Sequence, residues 1–231
     1  MYFIKPKQQF QKISKDGFFD NEENVANWMF NSGIPEYKYI IWALQNFIKE
    51  DKVFVDIGAH IGTWSWTIAP FAKTVYSFEC NPEVYNCLCA NIFLKELSHK
   101  IKALPYGISS QEDIMTYYIR SKDGGGNGFT LLENDGNIES FSIQTKKLDD
   151  IKILDIGLIK IDVEGHELEV LQGSGETLIQ NNYPPIIFES WFPDSQEKEK
   201  LRKELFSYLV FLGYNIVQLT GTQEIFLAEK K

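Results

Sequence analysis

The sequence predicts an α/β protein: a mostly parallel sheet, helices packed on both of its faces, and an antiparallel hairpin after the last helix. Three observations predict this. Short apolar, β-branched runs at Val53–Ile57, Thr74–Phe78 and Leu158–Val163 are each followed by a helical pattern. The joints between them carry turn and helix-start residues, Gly58, Gly62, Pro82 and Gly165. Beyond a charged amphipathic stretch, two strand-forming runs flank Thr220-Gly-Thr222.

In chain order, residues 1–50 are polar and aromatic without strand alternation, and helices are expected at Asn24–Phe30 and Glu36–Ile48. In the second of these Tyr37, Ile40, Ile41, Leu44 and Ile48 share a stripe, so residues 1–50 read as a helical cap on a domain spanning 51–231. The run from Val53 is too short for a helix, and Val53, Phe54, Val55 and Ile57 are apolar, as in a strand buried on both faces. Gly58 and Gly62 turn it into a helix carrying Trp66, Ile68, Ala69 and Phe71, with a stop near Pro70. A strand over Thr74–Phe78 ends at Glu79, Pro82 opens a helix through Leu94, and Ile101–Tyr106 is a third strand. The rhythm then breaks. Ile114–Ile119 and Phe141–Thr145 read as two extra strands around the glycine loop Asp123–Gly128. It resumes with the strand Leu158–Val163, a helix from Glu167 to Gln180, the strand Pro185–Glu189 and a helix from Gln196 to Leu212 that stops at Gly213. The strands Asn215–Leu219 and Glu224–Ala228 close the chain.

Composition narrows the function. A length of 231 residues with 44% hydrophobic and 14% aromatic residues indicates one packed domain with a small N-terminal appendage. A formal charge of −9 supplies no electrostatic footprint for a polyanion and argues against nucleic acid. Cys80, Cys87 and Cys89 are odd in number, with no second cluster, so reduced thiols and a cytoplasmic location are expected. Neither a signal-peptide core nor an apolar run of membrane-spanning length is evident.

Ligands of such sheets bind beyond the carboxyl ends of the strands, at the switch point of strand order. That rule collects Asp56, Glu79, Tyr106, Asp162 and Glu189. The spacing Gly58-x-x-x-Gly62 is not the Gly-x-Gly-x-x-Gly of dinucleotide sites, and Asp56 before it suits a ligand with cationic groups. Glu79, seventeen positions beyond Gly62, is placed to accept the two hydroxyls of a ribose. The second dense stretch is Ile159-Lys-Ile-Asp-Val-Glu-Gly-His-Glu-Leu168. Lys160 and Asp162 share strand parity, and Asp162, Glu164, His166 and Glu167 crowd the following turn. A carboxylate beside an imidazole makes a general base, and converging oxygens make a hard-metal site. Glu167 reads instead as a favourable charge at a helix start. Trp191 and Phe192 are either a pocket wall or core, His60 serves its own turn, and His99 is solvated surface. Patterns for a nucleophile elbow, a P-loop or a His-Glu-x-x-His zinc site are missing.

Taken together, Val53-Phe-Val-Asp-Ile-Gly-Ala-His-Ile-Gly62 and Val75-Tyr-Ser-Phe-Glu-Cys-Asn-Pro82 resemble the first two motifs of class I S-adenosylmethionine-dependent methyltransferases, with His60 where asparagine is commoner. Leu158-Ile-Lys-Ile-Asp-Val-Glu-Gly-His-Glu-Leu-Glu-Val-Leu-Gln-Gly173, preceded by Thr145-Lys-Lys-Leu-Asp149, is similar to the signature of the FkbM family of O-methyltransferases of sugars and natural products. The likeness runs from about residue 50 to 190. It implies a Rossmann-like fold with a seven-stranded sheet, S-adenosylmethionine as cofactor, and a sugar, glycan or small-molecule hydroxyl as acceptor. Asp56, Gly58, His60, Gly62, Glu79, Cys80 and Tyr106 are then expected around the cofactor, and Lys160, Asp162, Glu164 and His166 at the chemistry. Either His166 or Asp162 takes the hydroxyl proton, or a magnesium or manganese ion held by Asp162 with Glu164 or Glu189 lowers the hydroxyl's pKa. An RNA 2′-O-methyltransferase and a non-catalytic cofactor-binding module are the rival readings.

Overall fold

A computed structural model describes residues 37–120, 126–133, 135–136 and 138–230. The helix expected at Asn24–Phe30 and positions 123–125 of the glycine loop lie outside them. The elements in chain order are α1 (Tyr37–Asn46), β1 (Val53–Ile57), α2 (Thr63–Ile68) with a 3-10 turn over Ala69–Phe71, β2 (Thr74–Phe78), α3 (Pro82–Leu94) and β3 (Ile101–Leu104). Then follow β4 (Gly107–Ile108), β5 (Asp113–Ile119), β6 (Glu139–Lys146), α4 (Leu148–Ile151) and β7 (Ile156–Ile161). The chain closes with α5 (Glu167–Gln172), α6 (Gly175–Gln180), β8 (Ile186–Glu189), α7 (Gln196–Phe211), β9 (Asn215–Gln218) and β10 (Ile225–Glu229). Among the described residues no helix is long and apolar enough to cross a membrane.

Seven strands form the main sheet in the order β3-β2-β1-β7-β8-β10-β9. All pair in parallel except β10, which runs antiparallel to both β8 and β9. Central β1 is buried at every position, because its alternate side chains enter two different cores. On one face Phe54, Val75, Leu158 and Ile187 meet α1 and α2 through Ile40, Leu44, Trp64 and Trp66. On the other, Val55, Ile57, Ile159 and Phe188 meet α5 and α7 through Val170, Leu171, Leu205 and Leu209. Phe54 is wholly buried, and truncating it to alanine costs about 3–5 kcal/mol.

Local chemistry sets the boundaries. Asn81 caps α3 by accepting from the Glu83 N–H at 3.1 Å, with Pro82 at the first helical position. The strand expected over Ile101–Tyr106 stops at Leu104, since Pro105 has no N–H for the ladder. The chain re-pairs as β4 beside β6, and β6 pairs antiparallel with β5, so the two extra strands belong to a separate three-stranded sheet. The single helix expected from Glu167 to Gln180 divides at Gly173, where a Cβ would lie 2.0 Å from the Ser109 carbonyl oxygen. Close contact with the small sheet, which no periodicity reports, breaks the helix there.

Candidate functional site

Strand order reverses between β1 and β7, and the carboxyl ends of those two strands carry the first polar cluster. In register across the sheet stand Ser77 on β2, Asp56 on β1 and Lys160 on β7. Asp56 is wholly buried. Ser65 of α2 donates to its Oδ2 at 2.5 Å and lies 2.6 Å from the Ser77 hydroxyl. Its Oδ1 has no hydrogen-bond partner among the described residues and sits 3.9 Å from Lys160 Nζ. Burial pushes the Asp56 carboxyl above its usual range, and the Lys160 charge opposes that shift. Lys160 is itself buried; Nζ donates to Asp162 Oδ2 at 2.9 Å and to the Gly58 carbonyl at 3.3 Å. The shared strand parity of Lys160 and Asp162 thus produces an ion pair at the switch point.

Glu79 closes the end of β2. Its Oε2 accepts from the His60 N–H at 2.9 Å and its Oε1 from the Asn81 N–H at 2.8 Å, leaving each oxygen a further lone pair. Desolvation pushes the carboxyl up to about 7, against those two bonds. His60 therefore meets Glu79 through its backbone. Cys80 is half-buried; its thiol, desolvated and beside Glu79, lies well above its ordinary range and is hydrogen-bonded to Tyr117. Tyr106 follows β3 with Lys146 Nζ 4.7 Å above its ring.

Asp162 and Glu189 line one shallow cleft with Trp64, Lys160, Ile187, Phe188 and Ile225. Glu164, just beyond Asp162, accepts from the Gly126 N–H at 2.9 Å and from Trp191 Nε1 at 2.6 Å. Glu167 folds back onto the turn, accepting from the Val163 and Gly165 N–H groups at 3.3 and 3.1 Å; burial raises its carboxyl to about 8.

His166 departs from the role of proton acceptor. Nε2 lies 3.0 Å from the Ser109 hydroxyl, Nδ1 lies 3.5 Å from Glu169 Oε2, and the ring packs on Phe129 at 5.1 Å. Those contacts join the α5 start to Ser109, just after β4, and to Phe129. Burial holds the imidazole down at about 4, so it is neutral in the folded chain. The unfolded chain protonates it below about 6.5, so its contribution to stability is full above that pH and lost as pH falls through about 4. Between pH 7 and 4.5 wild type should lose about 2–3 kcal/mol more unfolding free energy than His166→Gln, measured by urea denaturation. A wild-type dependence no steeper than the variant's would place the ring in water.

Within residues 56–216 the chain matches the model of the methyltransferase FkbM domain. It belongs to the FkbM methyltransferase family. The FkbM chain is 30% identical over 148 residues to the hexuronic acid methyltransferase AglP of Haloferax volcanii, a match covering 62% of this chain and 59% of that protein's length. It is 26% identical over 260 residues to the methyltransferase sdnD of Sordaria araneosa, covering 94% and 86%. An FkbM methyltransferase from Methylobacillus flagellatus superposes with a TM-score of 0.57 at 16% identity, over 78% of this chain and 44% of that one. A putative methyltransferase from Streptococcus mutans, solved in complex with SAH, gives 0.56 at 9% identity over 85% and 98%. These two likenesses carry the class I methyltransferase fold alone.

Among the described residues of this FkbM chain no three His, Cys, Asp or Glu side chains converge, and Asp162, expected with Glu189 at a metal, pairs with Lys160. Residues that sequence reasoning passed over are Ser65, Ser77 and Arg120. Arg120 had a signal: the chain has only two arginines, and both clamp loops at the site. Arg202 donates to the Ser190 carbonyl at 2.5 Å, and Arg120 to the Gly126 carbonyl at 2.6 Å and to Asp135.

Proposed function

We propose that this chain transfers a methyl group from S-adenosylmethionine to a hydroxyl of a sugar, glycan or related small molecule. The observation that carries the reading is the pairing of β1 with β7, which sets Lys160 and Asp162 beside the Asp56–Gly58 turn. The residues fit the cofactor. The unbonded, buried Asp56 Oδ1 suits its ammonium group, and the spare lone pairs of Glu79 suit its ribose hydroxyls. When bound, S-adenosylmethionine supplies a methyl carbon made electrophilic by the sulfonium.

With cofactor and acceptor bound, Asp162 Oδ would take the proton of the hydroxyl that receives the methyl group. Lys160 holds that carboxylate in place through its 2.9 Å bond to Oδ2. Glu189 lines the same cleft, within the space an acceptor would occupy. The buried walls from Trp64, Phe188 and Ile225 exclude water from the reacting oxygen. A glycan acceptor is supported by the hexuronic acid named for the relative AglP, of which this chain spans 59%.

Radiolabelled methyl transfer to a panel of hexosides, uronides, phenols and RNA tests the reading; transfer to RNA alone, or calorimetry without S-adenosylmethionine binding, overturns it. The cofactor also carries a pH signature. Glu79 ionises near 7, and the carboxylate is the better acceptor for two ribose hydroxyls. Affinity should therefore fall about tenfold as pH drops from 8 to 6, a dependence that Glu79→Gln removes. Equal pH profiles for the two proteins would take Glu79 out of the site.

A further inference from the structure

Glu164 stands where three chain segments meet. It is two residues beyond Asp162, in the turn after β7. Trp191, which donates to its Oε2, is two residues beyond Glu189, in the loop after β8. Gly126, which donates to its Oε1, begins a strap from the small sheet that runs over the turn. The strap has its own clamp. Arg120, at the end of β5, donates to the carbonyls of Gly126 and Thr130 and pairs with Asp135 through Nε and Nη2. Thr130 Oγ1 then donates to the Gly165 carbonyl at 3.0 Å.

We infer that Glu164 is a positioning residue, which sets the gap between the Asp162 and Glu189 carboxylates and so the seat of the acceptor. Geometry supports this role. Each carboxylate oxygen receives one N–H, from the strap at Gly126 and from the loop after β8 at Trp191, so the side chain is held between the two. Residue 164 also adopts φ +55, a left-handed conformation easy for glycine and strained for glutamate. The strain is tolerated where a side chain is needed, and only a carboxylate can accept from Gly126 and Trp191 together. Asp162 and Arg120 are the charged groups facing it, and burial with the Asp162 charge raises its pKa while Trp191, Gly126 and Arg120 lower it. Charge-assisted bonds of this kind tie the two cleft loops and the strap into one unit.

The inference rests on the proposed methyl transfer, with Asp162 as proton acceptor, for its kinetic arm only. Glu164→Gln keeps an oxygen for Gly126 but turns an amide donor towards the Trp191 donor, and Trp191→Phe removes the same link from the other side. Hydrogen exchange of the unliganded protein, which needs no activity, should show amides 126–133 exchanging about tenfold faster in both variants. In the assay each variant should raise the acceptor KM about tenfold while kcat stays within about threefold, and the double variant should add little to either single one. The acidic limb of the pH–rate profile should survive in both. Unchanged exchange in both variants overturns the inference. Loss of the acidic limb in Glu164→Gln with an unchanged KM would make Glu164 the proton carrier instead. Faster exchange with no methyl transfer by the wild type would leave the strap linkage standing and fail the functional reading. Should Glu164→Gln not fold, Trp191→Phe alone decides the matter by the same criteria.

Discussion

Asp162→Asn should lower turnover by about 10²–10⁴-fold while leaving S-adenosylmethionine affinity within about threefold. Amide nitrogen cannot take the acceptor's proton, yet it preserves the shape of the cleft. The cofactor contacts proposed for Asp56 and Glu79 lie on β1 and β2, across the switch point from the substituted side chain. Lys160 exchanges its 2.9 Å ion-pair partner for a neutral amide oxygen and keeps the Gly58 carbonyl and the Asp56 charge, so it remains satisfied in its buried place. His166→Gln should retain far more activity, because its imidazole bonds to Ser109 behind the turn. Single-turnover methyl transfer with matched calorimetry separates the two. Near-normal turnover in Asp162→Asn would remove it as the base and make Glu189 the next residue to replace.

Gly58→Ala should lower stability by about 4 kcal/mol or more, a fall in Tm of roughly 8–16 °C for a chain of this size. A Cβ at position 58 would lie 1.8 Å from the Asp162 carbonyl oxygen, and the backbone there has φ +78. Both the clash and the conformation must be relieved. Moving the turn breaks the bond from Asp162 N–H to the Ile57 carbonyl, 3.0 Å long, that closes the β1–β7 pair. The same shift carries Asp162 away from the cofactor cradle, so binding should weaken along with folding. A loss below about 1 kcal/mol by denaturant titration would show that the turn has slack the geometry does not reveal.

Much of this molecule is legible from the residues. Largely apolar runs of five or six placed β1 and β7, because strands buried on both faces cannot alternate. Pro82 after Asn81 marked the start of α3, and Gly213 the end of α7, through local backbone preferences that act without tertiary help. The parity of Lys160 and Asp162 and the position of Glu79 at a strand end pointed to the candidate site, since those relations depend only on chain direction within a parallel sheet.

What the sequence by itself determined is therefore the order of elements, the sheet's polarity and the strand ends where chemistry is to be sought. Tertiary structure alone decided which of those side chains face one another. It turned His166 towards Ser109, folded Glu167 back onto its own turn, and brought Arg120 and Gly126 against Glu164 from 44 and 38 residues away. It divided one expected helix at Gly173, where the small sheet approaches to contact distance. The reason is physical: strand and helix propensities are set by neighbours within a few residues, whereas the partner of a buried charge is set by packing. A buried carboxylate takes whatever donors the fold delivers, and those donors can come from anywhere in the chain.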